Sequence, residues 1–331
     1  MKILVTGAAG FIGSHLCERL SELGHRVVGI DNFSDYYNPK LKEFNILDIE
    51  IPILRRDLTS DYHSDLGSHD LTRASLSRLI SETDVIMHLA AQPGISDKVT
   101  YDTYMNNNLL ATYRLVEAAL LNSHLRCFVN VSTSSVYGIH ATDSEEAPPR
   151  PTSFYGVSKL AAEQLVLSYN RSKGLPACSL RLFSVYGPRE RPEKLYPKLI
   201  RSILDNTSFP LFEGSLEHSR SYTYISDVLD GFIAVLDNLD DCNGEIFNIG
   251  SDIEITTAQG ISIVEEIMGQ TANIETLPKR AGDQLRTNAC IHKARKMLNY
   301  APTVSPEAGL KQEIDWFVKN YDKIWANGQP I

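Results

Sequence analysis

An apolar run, Ile3-Leu4-Val5-Thr6, passes directly into Gly7-Ala8-Ala9-Gly10-Phe11-Ile12-Gly13 and then into a helix-like stretch. Few arrangements need glycine at that spacing. Without a Cβ the backbone can approach a pyrophosphate, whose charge is met by free amides and by the helix dipole. Gly7, Gly10, Phe11, Ile12 and Gly13 are therefore candidate cofactor contacts. Taken alone the motif is weak, because a glycine-rich strand–helix turn can be purely structural. Asp31 strengthens it. It follows the next strand-like run, residues 26–30, where an acid can hydrogen-bond both hydroxyls of a ribose. A carboxylate there repels a 2′-phosphate, which favours NAD over NADP; the bland alternative is that Asp31 caps a loop. Asn32, beside it, is a further candidate contact.

The first half of the chain alternates short apolar runs with amphipathic stretches. Strands are expected at 3–6, 26–30, 85–91 and 127–132, with helices at 13–23 and 108–121. Near-continuous apolar runs such as Val85-Ile86-Met87-His88-Leu89-Ala90-Ala91 suit strands buried on both faces. Right-handed crossovers then give an α/β fold, a doubly wound parallel (Rossmann) sheet with ligands at the carboxyl ends of its strands. Leu89, Ala90 and Ala91 are counted with the cofactor contacts. Prolines, arginines and aromatics cluster in 186–224, which points to a smaller C-terminal substrate-binding domain. The expected division is 1–182 for the nucleotide-binding domain, rejoined by about 225–250 through a helix at 228–236 and a strand at 246–249. Residues 183–224 and 251–331 make the second domain. Residues 36–66 read as an irregular insertion.

Charge and cysteine usage narrow the partners. The formal net charge is −9 and the pI about 5.5, which argues against nucleic acid or an anionic membrane. Phosphate-bearing ligands must then be held by local arginines and backbone amides. The five cysteines (Cys17, Cys127, Cys178, Cys242, Cys290) form no CxxC pair and read as free thiols rather than metal ligands. No apolar run approaches the ~20 residues of a membrane span, and the glycine-rich N-terminus is not built like a signal peptide. A cytoplasmic protein is expected.

The chemistry centres on Tyr155-Gly156-Val157-Ser158-Lys159. On a helix, residues i and i+4 share a face, so the ammonium can lie near the phenol. An ordinary tyrosine is only on the order of 0.1% ionised at pH 7, and bringing its pKa down to about 7 takes about 4 kcal/mol. A Lys⁺ and a positively charged nicotinamide would supply that, making Tyr155 a general base for a substrate hydroxyl. Upstream, Ser132-Thr133-Ser134-Ser135 ends a strand in hydroxyls, one of which can bond the same substrate oxygen. Two acids could serve an adenine edge: Asp57 follows an apolar run, whereas Asp70, with Leu71, precedes a helix-like stretch and is preferred. Asn108 is either a cofactor-side hydrogen bonder or an Asn satisfied by backbone.

Together these motifs, in this order, resemble the nucleotide-sugar epimerase/dehydratase branch of the extended short-chain dehydrogenases, over essentially the whole chain. The resemblance implies Thr133, Tyr155 and Lys159 as the catalytic set and a tightly held NAD reused within each turnover. Sugar 4,6-dehydratases in this family carry an Asp-Glu pair after the threonine, and decarboxylases usually a Glu just before Val-Tyr-Gly. Here stand Ser134 and Ser135, which leaves epimerisation or simple ketoreduction.

The segments from Gly29 to Pro39 and from Arg181 to Pro192 are similar to those of UDP-glucuronate 4-epimerases. By that resemblance Ser134, Ser135 and Ser184 contact the sugar and Arg191 faces its carboxylate, a role suited to a bidentate guanidinium. A solvated loop charge or a phosphate contact is the alternative for Arg191. One departure is noted: those enzymes often carry Arg where this chain has Ser96. Arg220, and Arg280 with Asp283, match the family's diphosphate and ribose contacts; each arginine could instead be a surface ion-pair residue.

The implied reaction is 4-epimerisation of a UDP-sugar, UDP-glucuronate first, by a homodimer. A neutral UDP-hexose 4-epimerase, a decarboxylase and a non-catalytic nucleotide sensor are the rivals.

Overall fold

The computed structural model describes residues 1–60, 76–96, 98–279 and 284–325. Seven strands form one sheet: β1 (Lys2–Thr6), β2 (Arg26–Asp31), β3 (Ile53–Arg55), β4 (Val85–His88), β5 (Cys127–Thr133), β6 (Ala177–Leu182) and β7 (Ile246–Ile249). Their order is β7-β6-β5-β4-β1-β2-β3, and every neighbouring pair is parallel. Parallel pairing needs crossovers, so both faces are covered and both must be apolar. In β1 the alternation does this directly. Ile3 and Val5 join the core shared with α1 (Phe11–Glu22) through Leu16 and Leu20. Leu4 joins the opposite core with Ile80 and Leu115.

The chain runs outward from β1 to β3 on one side and from β4 to β7 on the other. The crevice at this reversal, between the carboxyl ends of β1 and β4, is where such sheets take ligands. Gly7 brings the two edges together: it has φ +71°, and a Cβ there would lie 2.9 Å from the Ala90 nitrogen.

Two expectations change. Residues 36–60 are not irregular throughout: Asn38 caps a helix, α2 (Pro39–Asn45), and β3 extends the main sheet at its edge. A three-residue strand carries too little periodicity to be legible in advance. The helix expected at 108–121 begins earlier, at α4 (Tyr101–Tyr104), which Thr100 caps; a π-helical turn spans Met105–Leu110 and α5 is Ala111–Leu120, while α3 (Leu76–Ser81) lies before β4. The polar run Asn106-Asn107-Asn108 hides that continuity in an apolar pattern. The strand at 246–249 is β7 and pairs with β6, as expected of a return to the main sheet.

The helix α6 (Phe154–Lys173) starts at Ser153, whose hydroxyl accepts from the Gly156 amide at 3.1 Å, and ends at Gly174 with φ 72°. Beyond β6 come α7 (Leu195–Leu204), α8 (Ile225–Asp237), α9 (Thr257–Met268), α10 (His292–Leu298) and α11 (Pro306–Lys319). Between them, Ser208–Phe212 pairs with Asn273–Leu277, and Ser219–Arg220 lies between Ile255–Thr256 and Arg286–Thr287. Cys17, Cys127, Cys178 and Cys242 are buried free thiols and Cys290 is half-buried. Among the described residues no helix is long and apolar enough to cross a membrane, and no cluster of His, Cys, Asp or Glu could hold a metal ion.

Candidate active site

A cavity of about 1630 Å³ opens at the carboxyl ends of the strands and runs on under the segments after β6. A single small ligand needs roughly 300–1,000 Å³, so this space suits two ligands end to end. At one end Gly7, Gly10, Phe11, Ile12 and Gly13 line it. Gly10 caps α1 with no side-chain cap bond, so the first amides of the helix keep their donors for an anion. A Cβ on Gly13 would lie 2.0 Å from the Gly7 carbonyl oxygen, so the turn exists only with glycine there.

Asp31 faces the same end. Its carboxylate accepts from the Ala9 amide at 3.1 Å and the Phe33 amide at 2.7 Å, and Lys42 Nζ stands 3.9 Å away. Asp31 thus does cap a loop. Two amides leave further lone pairs on the two oxygens for a ribose diol, so the two readings coexist. Asn32 lines the cavity and donates to Asp57 at 3.1 Å. Asp57 also borders the cavity; burial raises its carboxyl, but hydrogen bonds from Thr59 and Asn32 bring it below the ordinary value. Asp70 and Leu71, preferred from the sequence, lie outside the described residues, as do Arg280 and Asp283.

Leu89, Ala90 and Ala91 line the cavity beside the glycine turn, held by a buried chain of hydrogen bonds. Thr112 Oγ1 donates to the Asn108 carbonyl at 2.6 Å, so it can only accept from His88 Nε2 at 2.9 Å. His88 Nδ1 is then an acceptor for the Thr6 hydroxyl at 2.8 Å, and Thr6 accepts from the Ala90 amide at 3.1 Å. His88 is neutral: burial first, and the charge of Lys159 second, lower it to about 3. Asn108, expected at the cofactor, is fully buried and does not border the cavity. Its amide oxygen accepts from the Gln92 amide at 2.6 Å, and its nitrogen donates to the Gln92 carbonyl and to Ser158 Oγ. The backbone-satisfied alternative describes it.

The middle of the cavity brings Thr133, Ser134, Ser135, Tyr155 and Lys159 together. Thr133 ends β5 and its hydroxyl accepts from the Ser135 amide at 3.2 Å, turning the chain into a tight helical turn. Helix α6 lies directly on that turn. A Cβ on Gly156 would be 2.7 Å from the Ser135 carbonyl oxygen, so glycine is what lets Tyr155 reach Thr133. Burial raises the Tyr155 phenol, while hydrogen bonding with Thr133, the charge of Arg191 and the Gly94 backbone pull it back. Where a lowered phenol is expected from the sequence, the balance here leaves it above its ordinary value, burial outweighing the rest. Lys159 sits deeper, where burial lowers it to about 8 and Glu163 opposes that. Glu163 in turn holds Arg181 through two bonds of 3.0 and 2.7 Å, both residues almost wholly buried.

Ser184, Arg191 and Arg220 line the far end. Arg191 donates to Glu193 at 2.5 Å and lies 5.7 Å over the ring of Tyr36. A Cβ on Gly94 would lie 3.2 Å from its Nη2. Arg220 donates to the Ser219 carbonyl at 3.1 Å and to the Gln284 carbonyl. Sequence reasoning missed Tyr104, whose hydroxyl donates to the Gly94 carbonyl at 2.7 Å and whose ring is 6.1 Å from that of Tyr155. It also missed Glu190. Tyr36 and Glu190 lie inside the two stretches the resemblance singles out, but no spacing marks them.

The model of the NAD dependent epimerase/dehydratase family matches residues 3–250. The chain belongs to that family. NAD is its cofactor, and the glycine cradle with Asp31 fits the group. A Bacillus subtilis protein named as an uncharacterized UDP-glucose epimerase is 39% identical over 325 residues, covering 97% of this chain and 99% of the relative. The UDP-glucuronate 4-epimerase 4 of Arabidopsis thaliana is 33% identical, covering 96% of this chain and 76% of that protein. The crystal structure of the UDP-glucuronic acid 4-epimerase of Bacillus cereus, in complex with UDP-glucuronic acid and NAD, superposes with a TM-score of 0.89. It is 38% identical and covers 97% of this chain and all of the other. This member of the family is an NAD-dependent nucleotide-sugar epimerase.

Proposed function

We propose that this epimerase interconverts UDP-glucuronic acid and UDP-galacturonic acid at C4, with Thr133, Tyr155 and Lys159 as its catalytic residues. The observation that carries the reading is one cavity in which Tyr155 faces Thr133 and feels the charge of Arg191, with the glycine cradle at the opposite end. NAD would take the C4 hydride and give it back, so that no net redox change results, and its nicotinamide ring would add a positive charge favouring the Tyr155 phenolate. Tyr155 takes the proton from the 4-hydroxyl, Thr133 bonds the same oxygen, and a 4-keto sugar results. Rotation of that sugar about its link to the diphosphate presents the other face, and Tyr155 returns the proton. Lys159 sets the field around the phenol and orients the cofactor ribose.

A 4-keto uronate is a β-keto acid and is prone to lose CO₂. The Arg191 guanidinium, with Ser134 and Ser184, holds the carboxylate out of the alignment that loss requires. Residues 1–182, rejoined by 225–250, serve the cofactor, a division supported by β7 joining the main sheet at its edge. Residues 183–224 and 251–331 serve the UDP-sugar, with Arg220 and the pair Arg280 and Asp283 at the nucleotide. Exposed Tyr101, Tyr113, Leu121, Phe154 and Val157 lie on or beside α4, α5 and α6 and support a homodimer through those helices. A monomer mass by light scattering would remove that part. A cytoplasmic location is read from the acidic chain and its free thiols.

The deciding experiment incubates the purified protein with UDP-glucuronic acid, UDP-glucose or UDP-N-acetylglucosamine and catalytic NAD, with products followed by NMR. UDP-galacturonic acid is expected from the first. Turnover of the neutral sugars alone, or release of a pentose product, would sink the uronate reading.

A further inference from the structure

Two carboxyl groups are buried behind the Arg191 loop. Glu313, on α11, is wholly buried, and among the described residues neither of its oxygens meets a donor at good hydrogen-bond geometry. The acidic group it faces is Glu190, which is 5% exposed and borders the cavity. Two carboxylates in a dry site cannot both ionise, because each would bear its own desolvation and the other's repulsion.

The charges around the pair are few. Glu190 faces Lys194, Arg191 and Glu193 from its own segment and Glu313 from α11. Glu313 faces Glu190, Lys194 and the Gly187 backbone. The tyrosines Tyr186, Tyr196 and Tyr224 pack around it, and the hydroxyls of Tyr186 and Tyr196 are also buried, the latter beside Tyr222. Burial pushes Glu190 up to about 7 and Glu313 further, so the proton is held at neutral pH. Arg191 is the cation next to Glu190 in sequence and feels its charge. One of its nitrogens is already bound to Glu193, and another faces the Gly94 turn.

We propose that Glu190 decides whether the cavity accepts an acidic sugar: held protonated against Glu313, it adds no negative charge beside Arg191, and its ionisation disfavours the sugar carboxylate. This rests on the uronate reading above. A glucuronate carboxyl stays ionised throughout the neutral range, so any change in its binding with pH belongs to the protein or to the diphosphate. UDP-glucose controls for the diphosphate.

The test measures KM for both sugars between pH 6 and 8. In the wild type KM for UDP-glucuronic acid should rise about tenfold and that for UDP-glucose less than about twofold. In Glu190→Gln the uronate KM should stay low and flat. In Glu313→Gln the amide stands in for the protonated acid, so Glu190 still titrates and the rise of the uronate KM with pH should persist. An infrared band of a protonated carboxylic acid at pH 7, weakened in Glu313→Gln, reads the Glu313 proton without any activity. A wild-type pH response that survives in Glu190→Gln, or equal responses of both sugars, overturns the proposal while leaving the uronate reading intact. Absence of uronate turnover at every pH overturns both.

Discussion

At Tyr155 the balance of effects is unlike that of an ordinary tyrosine, because burial raises the phenol while Thr133, Arg191 and Gly94 oppose it. On the proposed reading, replacing the hydroxyl removes the base and leaves the ring packing. Tyr155→Phe should lower kcat by about 10²–10⁴-fold and leave NAD binding, followed by quenching of protein fluorescence, unchanged. Arg191 lowers the phenol and, on the proposed reading, also meets the sugar carboxylate. Its loss should therefore hurt every substrate a little and the acidic one most. Arg191→Leu should cut kcat/KM for UDP-glucuronic acid by about 10²–10³-fold, since truncating one partner of a buried charge pair costs about 2–5 kcal/mol. For UDP-glucose the loss should stay near tenfold; equal losses would show that Arg191 does not meet the carboxylate.

Among the elements, the unit of β1, the glycine turn and α1 has the least tolerance. The Gly7 carbonyl occupies the space of any Cβ on Gly13, at 2.0 Å, and it is backbone that cannot rotate away. Gly13→Ala should then lift α1 off the turn, weaken NAD by at least tenfold and cost about 1–3 kcal/mol of stability. Titration with NAD and urea unfolding on one sample would check both, and an unaltered NAD affinity would contradict the cradle. The helix α6 shows the opposite economy. One face carries Tyr155 to Thr133 and Lys159 to the cavity, and the next turn spends Glu163 on the buried Arg181. That ion pair also bonds Tyr137, which reaches Asn248 of β7, so the catalytic helix is tied across the sheet.

For the molecule as a whole, the Glu190–Glu313 pair sets a pH dependence of stability opposite to that of an ordinary salt bridge. Folded-state values lie above the unfolded carboxylate value of about 4.3, Glu190 at about 7. The folded protein therefore binds more protons than the unfolded chain between those limits. The pair's contribution is full below about pH 4 and is lost as pH rises through about 7. Glu254 runs the other way. Its bond to Arg286 holds it down to about 2, so its contribution is present above about 4.3 and disappears on acidification. Glu313→Gln mimics the protonated acid. Its Tm should match the wild type at pH 5 and exceed it by about 2–4 °C at pH 8. A difference that does not vary with pH would mean that the pair does not hold a proton.

Much of this was legible in the chain alone. The glycine spacing, Asp31 after the second strand and the Tyr155–Lys159 interval are local facts, set by strand and helix geometry over a few residues, and each candidate that lies among the described residues borders the cavity except Asn108. Tertiary structure decided the rest. It placed Arg191 where its charge acts on the Tyr155 phenol, committed Asn108 to Gln92, made β3 from three residues of an unreadable segment, and set Glu313 of α11 against Glu190. Those outcomes depend on desolvation and on contacts between distant segments, and neither leaves a period or a spacing in the sequence.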